Sequence, residues 1–510
     1  MIGTMYCAVL EGFGAKIVRV EADVSRGLPV FLLVGLAENS VKEARVRVQS
    51  AISNAGFKFP RGRISVNLAP ADLQKRGTAF DLSIALAILQ ATGDIAPKKL
   101  SEIAAIGELS LTGEIRPVRG MLALAESIKE QGLKYLLVPR ENAREACLIP
   151  GLSIKIINNF KELTEAIICC EIDKLESPDL ENQHESPDEH LVDMSDVCGQ
   201  EEARRALLIA AAGNHNLLFI GGPGSGKSMM AYRLTTILPP LGFKEALTLT
   251  KIYSLAGLTL AGNLINKRPF RAPHHSTTKA GLIGGGSMWI RPGEISLATF
   301  GVLFLDELLE FPRPVLEVLR QPLESGEITL SRANHSVTYP ADISLAGALN
   351  PCPCGNYGQS KKICICTPLA ISKYQSRLSG PLIDRIDLHI NVPPVDLRLM
   401  NNPHMNNESS SSMREQVINA RIQQETRLGA NKTNGKMNKQ ELKHNTHLTP
   451  KAHNFLVSSA ESLHLSARSF DRIIRVARTI ADLEESEHIH EHHVGEALYY
   501  RPVSGMKKKC

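Results

Sequence analysis

Residues 217–228 read LLFIGGPGSGKS. Four apolar residues suit a buried strand, a glycine-dense turn follows, and Lys227 and Ser228 open the helical stretch SMMAYRLTTIL. A chain with this segment must set a strand end, a flexible loop and a helix N-terminus in one line. Gly221, Gly222, Gly224 and Gly226, with Pro223 and Ser225 between them, let backbone N–H groups close around an anion. Lys227 then meets the β and γ oxygens of a nucleoside triphosphate, and the Ser228 hydroxyl ligates Mg²⁺. The implied ligands are ATP and Mg²⁺.

Further apolar runs recur downstream, VLFL before Asp306 and ISLAGAL before Asn350, separated by helical segments. That alternation predicts an α/β core built on a parallel sheet. Asp306 and Glu307 fall at the tip of one run: Asp306 is expected to hold the magnesium ion through water, and Glu307 to polarise an attacking water as general base. Asn350, at the tip of the next, is placed to orient the same water. A lone Asp-Glu after an apolar run is more often a solvated strand end, and the phosphate loop upstream reverses that reading. Arg385, in SGPLIDRIDLH, lies beyond the third strand, badly placed for its own nucleotide and well placed for a neighbour's. Arg468 opens the amphipathic stretch LSARSFDRIIRVARTIADL. Phosphoryl transfer gains most from cations that meet transition-state charge, although for either arginine alone a surface ion pair is the plainer reading.

At 510 residues the chain exceeds one hydrophobic core and suggests about two to four domains. The expected division is 1–165, an acidic Pro-containing linker at 166–192, a nucleotide-binding core at 193–398, a polar loop at 399–413, and a helical part at 414–505. A net charge of +5 proves no nucleic-acid partner. The N-terminal stretch lacks a basic segment followed by an apolar run, and no run of some 18 apolar residues occurs, so the expected compartment is the cytoplasm, without a membrane anchor. Ten cysteines in such a chain read as thiols or metal ligands. Cys352, Cys354, Cys364 and Cys366 form C-x-C-x9-C-x-C, a set suited to tetrahedral Zn²⁺, with free thiols as the alternative. HIHEHH at 488–493 lacks a closed ligand set and reads as a solvated helix start. His274 and His275 precede a glycine-rich segment without a chemistry that spacing alone fixes.

Taken together, PFRAPHHSTTKAGLIGGG, PGEISLATFGVLFLDELLEF, NPCPCG and LSGPLIDRIDLH resemble the ComM/YifB family, magnesium-chelatase-like AAA+ ATPases. The resemblance covers nearly the whole chain. It implies an AAA+ parallel-sheet core with a helical C-terminal lid, assembly as a homo-oligomeric hexamer, and a DNA helicase driving branch migration on single-stranded and branched DNA during natural transformation. It also gives the hairpin-like stretch ESGEITLSRANHSVTYP a role, since related motors carry a hairpin at this point that projects toward the ring channel. Arg332 and His335 then become DNA-binding candidates, as do Trp289, Arg291 and Lys279 in the insert around AGLIGGGSMWIRPGE. For Trp289, packing within its own domain weighs equally.

GELSLTGEIRPVRG and KRGTAFDLSIALAIL are similar to the Lon-protease-like (S5-like) α+β fold. By that match the nucleophile position falls on Ala79 and the general-base position on Arg116. Neither residue type performs the chemistry, so the block reads as a catalytically inactive relative. Two rival functions stay open: a magnesium-chelatase motor subunit acting on a porphyrin, and an ATP-driven remodelling chaperone.

Overall fold

The computed structural model describes residues 2–36, 43–178, 192–258, 263–286, 290–332, 335–358, 362–394 and 407–501, the side chains of Arg332 and His335 excepted. It divides into two compact units: Met1–Ser186 with Phe243–Ile265 and Ser331–Thr338, and Pro187–Gly242 with Asn266–Leu330 and Tyr339–Cys510.

In the first unit, alternation of side chains builds a half-buried sheet. Strands β1 (Ile2–Glu11) and β2 (Gly14–Ser25) pair antiparallel from Ile2↔Asp23 to Glu11↔Gly14. Val18, Val20 and Ala22 turn inward while Arg19 and Asp23 face out, as the period of two requires. With β3 (Val30–Val34), β4 (Arg63–Ala69), β5 (Ile103–Ala105), β8 (Tyr135–Pro139) and β9 (Ser153–Ile157) they form a mixed sheet in the order β3-β4-β2-β1-β5-β8-β9. A short ribbon, β6 (Glu108–Leu109) with β7 (Ile115–Arg116), stands apart. The helix Asp81–Thr92 is apolar nearly all round and is accordingly buried along almost its whole length. Its first residue, Asp81, is gripped by Arg47 through Nε at 2.6 Å and Nη2 at 3.1 Å. Burial nevertheless pushes its carboxyl up to about 6.

The helix Phe243–Ala256 belongs to this unit rather than to the nucleotide core with which the sequence grouped it. Leu247 joins the first unit's apolar cluster. Lys251 pairs with Glu126 and lies 4.7 Å from the Phe13 ring centroid, and Ser254 donates to the buried Glu145 carboxylate. A buried carboxylate needs such donors, and these come from a segment a hundred residues away in sequence.

The second unit is organised by five parallel strands in the order β11-β14-β17-β10-β18: β10 (Leu217–Ile220), β11 (Phe270–Arg271), β14 (Val302–Leu305), β17 (Ser344–Leu349) and β18 (Leu388–Asn391). Their apolar runs do not alternate with polar residues because both faces are covered. Leu217, Phe219, Val302, Phe304, Ala346 and Ala348 join one cluster, whereas Leu218, Leu303, Leu305, Leu345 and Leu349 join the other. The first cluster continues without a break into the helices Ser410–Leu428 and Ala467–Leu483 through Met413, Val417, Ile473, Ala477 and Ile480. A ribbon, β12 (Gly284–Gly285) with β13 (Arg291–Pro292), completes the unit. The hairpin β15 (Glu327–Arg332) with β16 (His335–Pro340) is divided: Ser331–Thr338 count with the first unit and the rest with the second. The hairpin is better anchored than its polar sequence suggests. Tyr339 is buried at its base, its hydroxyl donating to Ile290 O at 2.6 Å. Val337, nearer the tip, is also buried.

The C-terminal helices are fastened to the sheet around Asp387. Arg472 donates to its carboxylate, the Asn216 N–H donates at 3.1 Å, and His215 Nδ1 lies 3.7 Å away. Next to it, both ring nitrogens of His389 are buried, and burial together with the Arg501 guanidinium holds the imidazole down at about 4. A histidine depressed in this way contributes stability in full above its ordinary value near 6.5 and loses it as pH falls toward 4. Asp387, held well below the usual carboxylate range chiefly by Arg472 against the cost of burial, adds a loss at still lower pH. Thermal melts should therefore show an acid limb starting below about pH 6.5, worth about 1 kcal/mol by pH 5.5 for His389. His389→Phe is expected to flatten that part of the limb. An unchanged slope in the variant would remove His389 as its cause.

Candidate functional site

Topology explains why the residues picked out along the sequence meet. β10, β17 and β14 are immediate neighbours and parallel, with Ile220 opposite Leu349 and Leu305 opposite Gly347. The segments leaving their C-terminal ends therefore open on one side, where parallel sheets bind ligands. Pro223 to Ser228 leave β10, Asp306 and Glu307 leave β14, and Asn350 leaves β17. Together they line a cavity of about 360 Å³.

Gly221 must be glycine because Val392 O would lie 2.4 Å from any Cβ placed there. Lys227 lies across the loop, its ammonium donating to Gly221 O at 2.7 Å, Gly222 O at 2.9 Å and Asn350 Oδ1 at 3.3 Å. Burial lowers its pKa, and the carboxylates of Asp306 and Glu307 work against that shift. The Ser228 hydroxyl donates to Asp306 Oδ2 at 2.7 Å, and the Glu307 N–H donates to Asp306 Oδ1 at 2.9 Å. Ser228 and Asp306 thus present two hard oxygen donors side by side, which fits Mg²⁺. Glu307 adopts a left-handed backbone at φ 49°, unusual for a non-glycine residue and of the kind that clusters at functional sites. Glu310 N–H, donating to Glu307 O at 2.7 Å, closes the turn behind it.

Sequence reasoning left the chemistry of His275 open. β11 pairs in parallel with β14, so the residues leaving β11 run beside those leaving β14. His275 Nδ1 accordingly lies 3.6 Å from Glu307 Oε2, with the His274 ring tilted against its own at a centroid distance of 4.0 Å. These histidines, with Tyr232, Phe270 and Phe304, line a second cavity of about 430 Å³ that shares Ser228, Asp306 and Glu307 with the first.

Neither Arg385 nor Arg468 lines the nucleotide cavity. Arg385 is buried, pairing with Glu324 and donating through Nη1 to Pro381 O at 2.6 Å. Arg468 is exposed, and its Nη2 lies 3.7 Å from the same Glu324 oxygen. Both arginines thus converge on one carboxylate, which no motif singles out. The remaining candidates are dispersed. Lys279 is exposed at the start of the helix Lys279–Ile283, and Arg291 is exposed in β13. Trp289 and the side chains of Arg332 and His335 lie outside the described residues. The four cysteines Cys352, Cys354, Cys364 and Cys366 come together, their sulfurs all within 4.8 Å of one another. In the histidine-rich stretch, His493 is buried and accepts from the His490 N–H at 2.9 Å, with Glu484 Oε2 3.0 Å from its other ring nitrogen. It serves the helix Glu491–Tyr499 as a cap rather than standing in solvent. Ala79 and Arg116 lie in the first unit: Ala79 O accepts the Gly107 N–H at 3.3 Å, and Arg116 is exposed in β7.

This parallel sheet with its phosphate loop, acidic strand tip and asparagine-tipped neighbour defines a P-loop ATPase of the AAA+ class. Family models agree along the chain: magnesium chelatase subunit ChlI at residues 193–400, a second ChlI model at 20–142, and the ChlI C-terminal model at 407–501. The chain is 41% identical over 516 residues to the competence protein ComM of Haemophilus influenzae, covering 100% of this chain and 99% of that protein. It is also 41% identical to the uncharacterized protein YifB of Escherichia coli, over 97% and 96% of the two chains. A Lon protease of Azospirillum brasilense is 24% identical over 147 residues, 27% of this chain and 18% of that one. The chain belongs to the ComM/YifB family of magnesium-chelatase-like AAA+ ATPases.

Proposed function

We propose that the protein is an ATP-driven DNA motor, working as a ring of identical copies, expected to be a hexamer, that moves single-stranded and branched DNA by branch migration during natural transformation. What carries this reading is the convergence of Lys227, Ser228, Asp306, Glu307 and Asn350 on one cavity in a chain alike from end to end to a competence protein. Lys227 would turn from the loop carbonyls to the β and γ phosphates of ATP. Ser228 and Asp306 would hold Mg²⁺, which when bound neutralises charge developing on the phosphates. Glu307 would take a proton from the attacking water, and Asn350 would orient that water. Among the described residues no helix is long and apolar enough to cross a membrane. A cytoplasmic location is part of this proposal.

A magnesium-chelatase motor subunit is the second reading, favoured by the three ChlI models. Measuring ATPase activity with single-stranded DNA, forked DNA and a porphyrin separates the readings. Stimulation by DNA is the expected result. Stimulation by porphyrin alone would overturn the proposal, and a response to none of the three would favour the remodelling chaperone.

In this reading the β15–β16 hairpin grips DNA. Arg332→Ala should weaken DNA binding about equally across sequences and lower the salt slope by roughly one contact. Because Val337 and Tyr339 anchor the hairpin, loss of Arg332 at its tip should leave folding and basal ATPase in place, while DNA-stimulated ATPase and branch migration fall together. Unchanged DNA binding and stimulation would shift the contact to the insert carrying Arg291.

A further inference from the structure

The nucleotide chemistry gives no role to the four cysteines that follow Asn350. They lie in the described stretches 351–358 and 362–366, where Cys352 is buried and Cys354, Cys364 and Cys366 are half-buried. Ile363 and Ile365 are 89% and 84% exposed, although they flank Cys364 directly. The apolar side chains here point outward and the sulfurs inward, the reverse of a hydrophobic core. Small units without a core are held by covalent or metal cross-links.

The sulfur geometry separates those two kinds of link. Cys352 Sγ lies 3.4 Å from Cys354 Sγ and 3.6 Å from Cys364 Sγ, and Cys354 and Cys364 are 3.6 Å apart. A disulfide would bring a pair to about 2.05 Å. A tetrahedron with zinc–sulfur arms of about 2.3 Å has edges of about 3.8 Å. The three separations, 3.4 to 3.6 Å, lie far nearer that value than a disulfide's, and Cys366 falls in the same group. The Tyr357 N–H, 3.3 Å from Cys352 Sγ, supplies the kind of hydrogen bond that steadies thiolate charge around a metal.

We propose that Cys352, Cys354, Cys364 and Cys366 form a tetrathiolate Zn²⁺ site that braces the nucleotide-binding loop. The four thiols give up their protons to solvent as the ion binds, leaving a four-sulfur cage with no open position for catalysis. Its mechanical reach follows from Gly355, one residue after Cys354. Gly355 adopts φ +77°, donates its N–H to Cys352 O at 2.9 Å, and lies so near Pro223 that a Cβ there would be 2.5 Å from Pro223 Cδ. Pro223 lines the nucleotide cavity, and Asn350, which also lines it, is two residues before Cys352. The cross-link thus fixes the back of the phosphate loop and the base of the water-orienting asparagine together.

The test is elemental analysis of the full-length protein purified under reducing conditions without added metal. About one zinc per chain is expected, released as a mercurial titrates the thiols. Cobalt exchanged into the site should give the sulfur-to-cobalt charge-transfer bands of a tetrathiolate. Cys364→Ser should lower zinc content at least about tenfold. Because that variant can unfold, the wild-type stoichiometry is decisive by itself. Zinc below about a tenth of an equivalent even after dialysis against it, stoichiometric iron in its place, or disulfides among these cysteines by mass spectrometry would each overturn the site. The bracing function rests on the ATP reading of the cavity and is measured separately. Metal-stripped protein should bind an ATP analogue about tenfold more weakly, and full-strength binding after stripping would remove the bracing role while the stoichiometry still decides the site.

Discussion

Glu307→Gln is expected to bind ATP as tightly as the parent protein and to hydrolyse it about 10²–10⁴-fold more slowly. The two carboxylates at the tip of β14 differ in what already occupies them. Asp306 accepts from the Ser228 hydroxyl on one oxygen and from the Glu307 N–H on the other, so both its oxygens are already engaged. Glu307 is half exposed, reaches both cavities and has His275 3.6 Å away. It is therefore the carboxylate free to accept a proton. Glutamine keeps its size and one acceptor oxygen but cannot take that proton. Lys227, Ser228 and Asp306 are untouched, so nucleotide affinity should survive. Equilibrium binding of a fluorescent ATP analogue and single-turnover hydrolysis measure the two halves separately. Turnover within a few-fold of the parent would remove Glu307 as the base, whatever the affinity.

Residues close together along the chain were the ones most readily read as a site. GGPGSGKS carries its own geometry, and the apolar runs before Asp306 and Asn350 implied neighbouring buried strands before any pairing was known. Contacts that depend on pairing were not legible. His275 meets Glu307 because β11, a strand of two residues, lies beside β14, and nothing in PFRAPHHS announces that neighbour. Glu324 is 61 positions from Arg385 and reads as one more acid in a polar turn. The helix Phe243–Ala256 shows the same limit at the level of domains. Its sequence is helical and sits after the phosphate loop, yet its Lys251 and Ser254 answer acids of the first unit. In the hairpin the alternation Val337, Thr338, Tyr339 was visible, but its polar setting concealed that two of the three are buried anchors.

Arg385→Ala should leave each chain able to bind ATP while hydrolysis by the assembled protein falls about 10³-fold, the scale set by arginines that meet transition-state charge from a neighbouring subunit. The geometry sharpens this expectation. Arg385 does not line its own chain's nucleotide cavity, and its guanidinium is held by Glu324, which Arg468 also approaches. To act on a phosphate, Arg385 must exchange one anionic partner for another, and a transition state bearing more charge than a carboxylate favours that exchange. On that reading Glu324 would be the resting partner, three residues before the hairpin strand that begins at Glu327. On the proposed ring reading, assembly and hydrolysis would be coupled, because the exchange would need a neighbour's nucleotide. The decisive measurement mixes Arg385→Ala with Lys227→Ala chains. The first supplies an intact pocket and the second an intact arginine, so in random rings of equal amounts about a quarter of interfaces combine the two. Activity recovered in proportion to those interfaces is the expected result, with thermal melts checking that each variant folds. No recovery at any mixing ratio, with rings still forming, would mean that Arg385 acts within its own chain or serves only to hold Glu324.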